Sequence, residues 1–211
     1  MALPAISVLP SARWRSYAFE IERVDYLAPT VGGRVGGVTA GWPLFRLEVE
    51  PSHQTEMQSE VWSAWIDSLR GQQRHFLAGP ERRYPLAHPG GLPAGHNGDA
   101  ASWSVNTDLD VLTLTGMPSA LILTPGDFIG FRWTTGGQPR GAVVKVMESG
   151  SGTSPAVTVE PAVPTIIPGS AVAYLVGPKC LMRRTPDTKV GPLGSTRTKA
   201  ITFAAIQTLL A

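Results

Sequence analysis

Hydrophobic positions along this chain alternate far more often than they recur at helical spacing, so strands dominate the expected structure. The clearest case is Trp42–Glu50 (WPLFRLEVE), where Phe45, Leu47 and Val49 face one way and Leu44, Arg46, Glu48 and Glu50 the other. Arg15 to Ala28 alternates in the same manner, with Tyr17, Phe19 and Ile21 on one side. One segment breaks the pattern. From about Ser52 to Arg70, the residues Met57, Val61, Ala64, Trp65 and Leu69 share one face of a 3.6-residue period, which predicts a single amphipathic helix with that face covered. Ser52 or Thr55 is placed to cap it, Gln58 stands three residues after Thr55 as in a capping box, and Gly71 suits the position beyond its end. Glu56 and Glu60 near the start and Arg70 at the end complement the helix dipole. A short strand is expected at Arg74–Leu77.

The composition then changes. Pro85–Asp99 (PLAHPGGLPAGHNGD) has almost no periodicity and reads as a connector. Beyond it, strands are expected near Asp110–Thr115, Ala120–Leu123, Asp127–Trp133, Gly141–Glu148, Ala156–Glu160 and Ala171–Val176, separated by short glycine-containing turns. Such spacing predicts a small barrel or sandwich. Arg183–Ser195 reads as a polar linker. Lys199–Leu210 (KAITFAAIQTLL) reads as a strand over Lys199–Ala205 that rejoins the first unit, with a helix as the competing reading because Ala204, Ala205 and Gln207 are good helix formers. The expected fold is mainly β (α+β). Residues 1–85 with 187–211 form a tube-like β-sandwich or split barrel flanked by the helix at 52–70, and residues 86–186 are inserted as a small β-barrel.

Composition narrows the function classes. With 211 residues, 43% hydrophobic and 16% charged, the chain is long and apolar enough to bury a real core. A net charge of +2, with arginines in scattered pairs, argues against specific nucleic-acid recognition. Cys180 is the only cysteine, so no disulfide or cysteine metal cage forms within the chain. No apolar run approaches the roughly 18 to 20 residues of a membrane span, and MALPAISVLPSARW lacks a basic start, so folding in the cytoplasm of the producing cell is expected.

Candidate chemistry is sparse. There is no Gly-x-Ser-x-Gly elbow, no phosphate loop and no His-Glu-x-x-His. Gly33, Gly36 and Gly37 follow no predicted strand-to-helix turn, which removes a dinucleotide fingerprint. His88, His96, Asn97 and Asp99 invite a divalent ion, but a connector promises no rigid support for ligands, and a solvated turn is the simpler reading. Asp108 and Asp110 with Asp127 invite a paired-carboxylate hydrolase, against which stands their position at turns that open strands. Trp42, Trp103 and Trp133 are offered for sugar stacking. Trp62 lies beside the expected buried helix face and is either core edge or a contact with a neighbouring subunit. The stretch Thr30–Gly41 is a loop or hairpin tip, either solvated or an arm to a neighbouring copy. The expectation is therefore no catalytic, cofactor or metal site, with Gly32, Gly33, Gly36, Gly37 and Trp62 as contact candidates.

One resemblance sharpens this. Trp65–Gln72 (WIDSLRGQ), Arg74–Leu77 (RHFL), Pro85, Leu112–Gly116 (LTLTG), Leu121–Phe131 (LILTPGDFIGF), Arg140 before a strand, and Val157–Ala162 (VTVEPA) occur in an order that resembles the distal tail or tail-hub (tail-tip) proteins of long-tailed bacteriophages, and related components of gene-transfer agents. It spans about residues 42 to 180 and rests on turns and strands, not on a catalytic signature. The resemblance implies a non-enzymatic virion component without cofactors, usually a ring of six copies at the end of the tail tube. Such a ring joins the tube protein to the hub and to fibre or receptor-binding proteins, after assembly in the host cytoplasm. It also implies a β unit with one flanking helix, in some cases with an inserted barrel serving attachment. A carbohydrate- or receptor-binding module of the same particle is the alternative.

Overall fold

The computed structural model describes residues 6–23, 25–29, 35–39, 41–52, 55–193 and 199–209. With 44% strand and 9% helix, the protein is mainly β with a single α-helix among the described residues, an α+β fold as the alternation predicts. In chain order the elements are β1 (Ser7–Val8), β2 (Trp14–Glu22), β3 (Asp25–Pro29), β4 (Val35–Thr39), β5 (Leu44–Pro51), α1 (Glu56–Ser68), β6 (His75–Ala78), β7 (Ser102–Val105), β8 (Val111–Thr115) and β9 (Ile122–Leu123). They continue with β10 (Phe128–Thr135), β11 (Gln138–Val146), β12 (Gly150–Ser151), β13 (Ala156–Glu160), β14 (Val172–Tyr174), β15 (Cys180–Arg184), β16 (Lys189–Leu193) and β17 (Lys199–Gln207).

The first sheet runs β1-β6-β15-β17-β5-β2, with β16 also on β17. Its alternating residues converge on one face: Phe45, Leu47 and Val49 from β5, Phe76 from β6, Met182 from β15, and Ile201 and Phe203 from β17. Helix α1 covers part of that face through Trp62, Ile66 and Leu69, and Val143 of β11 with Phe128 of β10 covers another part. The Lys199 segment is a strand because it lies inside the sheet, paired to β5 on one side and to β15 and β16 on the other. Two ladders of backbone bonds override the helix propensity of Ala204 and Ala205.

Of the expected linker Arg183–Ser195, the described residues 183–193 are not a linker. Cys180–Arg184 and Lys189–Leu193 both run antiparallel to β17, interrupted by residues 185–188. At the interruption the Thr188 hydroxyl donates to the Ala204 carbonyl (3.0 Å) and accepts the Ala204 N–H (3.1 Å), so a side chain replaces the missing strand partner. This also moves the unit boundary: β15 belongs to the first sheet, so an insertion ending at residue 186 runs too far.

The second sheet runs β14-β10-β11-β13-β8-β7 and encloses a core of its own, which includes Leu112, Leu114, Leu121, Ile129, Phe131, Val144, Val146 and Val157. Among the described residues neither sheet is closed into a barrel, which corrects the expected inserted barrel. The ends of the second sheet meet at one bridge, Asp99 with Tyr174, where the Ala100 N–H donates to the Ala173 carbonyl at 2.9 Å. The next amide, Ala101, already donates to Thr115 of β8 at 2.8 Å. The chain crosses from one sheet end to the other within a residue, which leaves no length for a closing ladder.

Helix α1 starts as predicted. Thr55 is the N-cap, its Oγ1 accepts the Gln58 N–H (3.3 Å), and Gln58 Oε1 accepts the Thr55 N–H (3.0 Å). Its covered face matches the predicted one only in part, at Trp65 and Leu69. Met57 and Val61 are 77% and 54% exposed, while Ser59, Trp62, Ile66 and Leu69 are buried. A count of apolar positions passes over Ser59, yet its small side chain permits close approach, and its hydroxyl is satisfied by the Glu56 carbonyl at 2.9 Å. Trp62 is core, 2% exposed, against Trp14, Trp65 and Phe203. This corrects its reading as a subunit contact.

Candidate functional site

The hairpin β2–β5 pairs from Ser16↔Glu50 to Glu22↔Leu44, and the chain beyond it makes a second ladder, β3–β4, from Asp25↔Thr39 to Pro29↔Val35. Among the described strands β3 and β4 pair only with each other, and β2 pairs only with β5. Gly36 and Gly37 stand opposite Ala28 and Leu27 in this ladder; Gly32 and Gly33 lie outside the described residues. Of the expected loop or hairpin tip at Thr30–Gly41, residues 35–39 form a paired strand, as the hairpin alternative has it.

The free edge of β2 faces the end of β6 across a slot of about 450 Å³ lined by Val8, Trp14, Tyr17, Leu77, Gly79 and Lys179. The Tyr17 hydroxyl crosses it to donate to the Gly79 carbonyl. Burial, with smaller contributions from Cys180 and Glu81, pushes the Tyr17 phenol well above its ordinary range, so it stays a protonated donor. A second groove of about 440 Å³ lies beside α1, between Pro10–Arg13 and the exposed Met57 and Val61.

The other sequence candidates have structural partners. Asp127, 0% exposed, accepts the Leu86 N–H at Oδ1 (2.7 Å) and the Thr124 N–H (2.8 Å) and hydroxyl (3.1 Å) at Oδ2. Arg82 lies 3.6 Å from Oδ1. The carboxylate thus ties the connector to the turn before β10. Asp127→Asn is expected to cost about 2 kcal/mol, because an amide offers one acceptor where two oxygens are in use; thermal denaturation of the variant reads this. Asp110 accepts from Asn106 Nδ2 at 2.6 Å.

His88 Nε2 accepts the Ile122 N–H (3.0 Å), His96 Nδ1 accepts the Gly98 N–H (3.0 Å), and Asp99 pairs with Arg132 at 2.5 Å. His88, His96 and Asp99 therefore engage different partners, Asn97 bonds to Asp99, and no group of three or more metal-ligating side chains occurs among the described residues. Trp103 is pinned through Nε1 to the Ala171 carbonyl (2.7 Å) and packs on Phe131. Trp133 packs against the second core. Trp42 differs: it is 43% exposed and borders a depression of about 510 Å³ with Glu22 and Thr208. Burial pushes the Cys180 thiol far up, which makes it inert as a nucleophile.

Sequence reasoning missed two features. Gly79 and Gly141 both face Pro178–Lys179, where an added Cβ would stand 1.9 Å from the Pro178 carbonyl and 2.6 Å from the Lys179 carbonyl. In a Gly-Pro pair and a strand start, nothing signals such contacts. The second is His75, held below its ordinary range by burial first, then by Arg183 and Arg140. Since the unfolded chain binds that proton more readily, the associated stability is present above about pH 6.5 and lost as pH falls. The melting temperature is expected to drop between about pH 7 and pH 5.5, and to drop less in His75→Gln.

No protein-family model matches the chain, and no curated protein matches it.

Proposed function

We propose that this chain is a non-enzymatic structural subunit of a phage or phage-like tail tip, a ring former that joins the tail tube to the hub and the receptor-binding apparatus. The observation that carries this reading is the extended hairpin from Trp14 to Pro51. Its outer ladder, β3–β4, has no strand partner among the described residues, and the outer edge of β2 is unpaired there too. An unpaired strand edge exposes backbone donors and acceptors, which a soluble protein covers or uses. A heterologous contact made by such an arm closes into a ring when identical copies repeat it. The resemblance of residues 42 to 180 to tail-tip proteins supplies the particle. The satisfied oxygens of the buried Asp127 and the scattered partners of the connector histidines favour structural roles for the residues that hinted at catalysis.

The test is electron microscopy and mass photometry of the full chain, alone and with the tail tube protein. Closed rings are expected, in six copies by analogy with the resembling proteins. Replacing residues 25–39 by a two-glycine turn keeps the Glu22–Leu44 pair and is expected to abolish rings while leaving the melting temperature within a few degrees. A chain that stays monomeric with every tail component overturns the reading. Trp42 favours one second reading, a carbohydrate contact on the same particle. Glycan-array binding that disappears in Trp42→Ala would support it, and a blank array would remove it.

A further inference from the structure

We infer that Arg140, Arg183 and His75 form an oxyanion site where β11 of the second sheet meets β6 and β15 of the first, one that takes a phosphate or carboxylate group. His75 and Arg183 are register partners on β6 and β15, and an Arg183 terminal nitrogen stands 3.1 Å from His75 Nε2. Gly141 lies against Lys179 and Cys180, which brings β11, and Arg140 with it, alongside β15. The Nε atoms of Arg140 and Arg183 are both buried and have no hydrogen-bond partner.

The described ion pairs engage Arg15, Arg23, Arg46, Arg82 and Arg132, and neither Arg140 nor Arg183 is among them. Arg46 shows the contrast: on the same sheet it is met by Glu22, Glu48 and Asp187 at 2.7–3.2 Å. Burying a guanidinium nitrogen without an acceptor is costly, and so is gathering two guanidinium charges with no counter-charge between them. An oxyanion removes both costs, because its oxygens accept from the planar fork in the geometry arginine offers. It also reverses the field at His75, which then favours the imidazolium and gains a further donor. The inference does not depend on ring formation.

The experiment titrates the full chain with inorganic phosphate at low ionic strength, read by calorimetry and by the His75 ring resonances. One saturable site is expected, with the His75 titration midpoint moving upward as phosphate is added. Arg140→Gln and Arg183→Gln are each expected to weaken binding about tenfold or more, and Arg15→Gln, a variant of an exposed arginine elsewhere, to leave it unchanged. Arg→Lys variants, which keep the charge and lose the fork, serve if the glutamine variants fail to fold. Acetate competing with phosphate shows that a carboxylate fits. His75 resonances that shift with protein concentration, and are reset by phosphate, identify the source as a second copy of the chain. Two results overturn the site: phosphate binding unchanged in the double variant, or His75 resonances indifferent to both phosphate and protein concentration.

Discussion

Trp62→Ala is expected to destabilise the protein by about 3–5 kcal/mol, the cost of emptying a large aromatic site. Met57→Ala and Val61→Ala are expected to stay within about 0.5 kcal/mol of the parent chain, as exposed positions do. The contrast rests on the orientation of α1. Trp62 meets Trp14 at 5.8 Å, Trp65 at 5.5 Å and Phe203 at 6.2 Å, all edge-to-face. Edge-to-face pairs add to the burial term, and this cluster continues through Trp65 to Phe76 at 5.1 Å. The cavity left by alanine would sit between the N-terminal segment, the helix and the central strand β17, where packing on three sides limits collapse. Equilibrium urea unfolding followed by far-UV circular dichroism measures all three variants. Equal losses for Met57→Ala and Trp62→Ala would show the helix rotated onto the other face.

Gly79→Ala should be the most damaging small substitution in the chain. Its Cβ would lie 1.9 Å from the Pro178 carbonyl oxygen and 2.9 Å from the Pro178 carbonyl carbon. Backbone on both sides has no rotamer with which to yield, so the strands must part, at about 3 kcal/mol or more. Parting them also pulls the Gly79 carbonyl from the Tyr17 hydroxyl, the one described hydrogen bond across the slot between β2 and β6. The same crossing, Pro178–Lys179, meets Gly141 of β11 on its other side, and a Cβ added at Gly130 of β10 would stand 2.9 Å from the Pro178 side chain. These contacts join the two sheets, so the variant is expected to lose stability in both. Gly90→Ala, where an added Cβ meets nothing within 4 Å, is the matched control and should be silent. Should Gly79→Ala prove insoluble, Gly141→Ala reads the same contact from the other strand, and a parent-like melting temperature there would remove the argument.

Much of the fold is legible along the chain. Alternation locates β5, β8, β10 and β13 to within a residue or two, and the Thr55–Gln58 capping box locates the start of α1. Local rules suffice there because strand pleat and helix start are properties of a few consecutive residues. The reading fails where a residue acts through a distant neighbour. Thr185–Thr188 looks like a linker because the Ala204 amide and carbonyl that complete it lie in another strand. His88 reads as part of a solvated turn because the Ile122 amide that it accepts lies 34 residues away. The anion-site residues carry no signal at all, since His75, Arg140 and Arg183 are remote in sequence and meet only across two sheets.

The chain alone determined the β-rich class and the helix with its cap. Each follows from periodicity and short-range hydrogen bonding. Tertiary structure decided which face of that helix is covered, that neither sheet closes, and that β15 belongs with the first sheet. Those outcomes depend on how bulky rings such as Trp62 and bare glycines such as Gly79 fit surfaces far away in the chain, and shape complementarity of that kind is a property of the assembled layers.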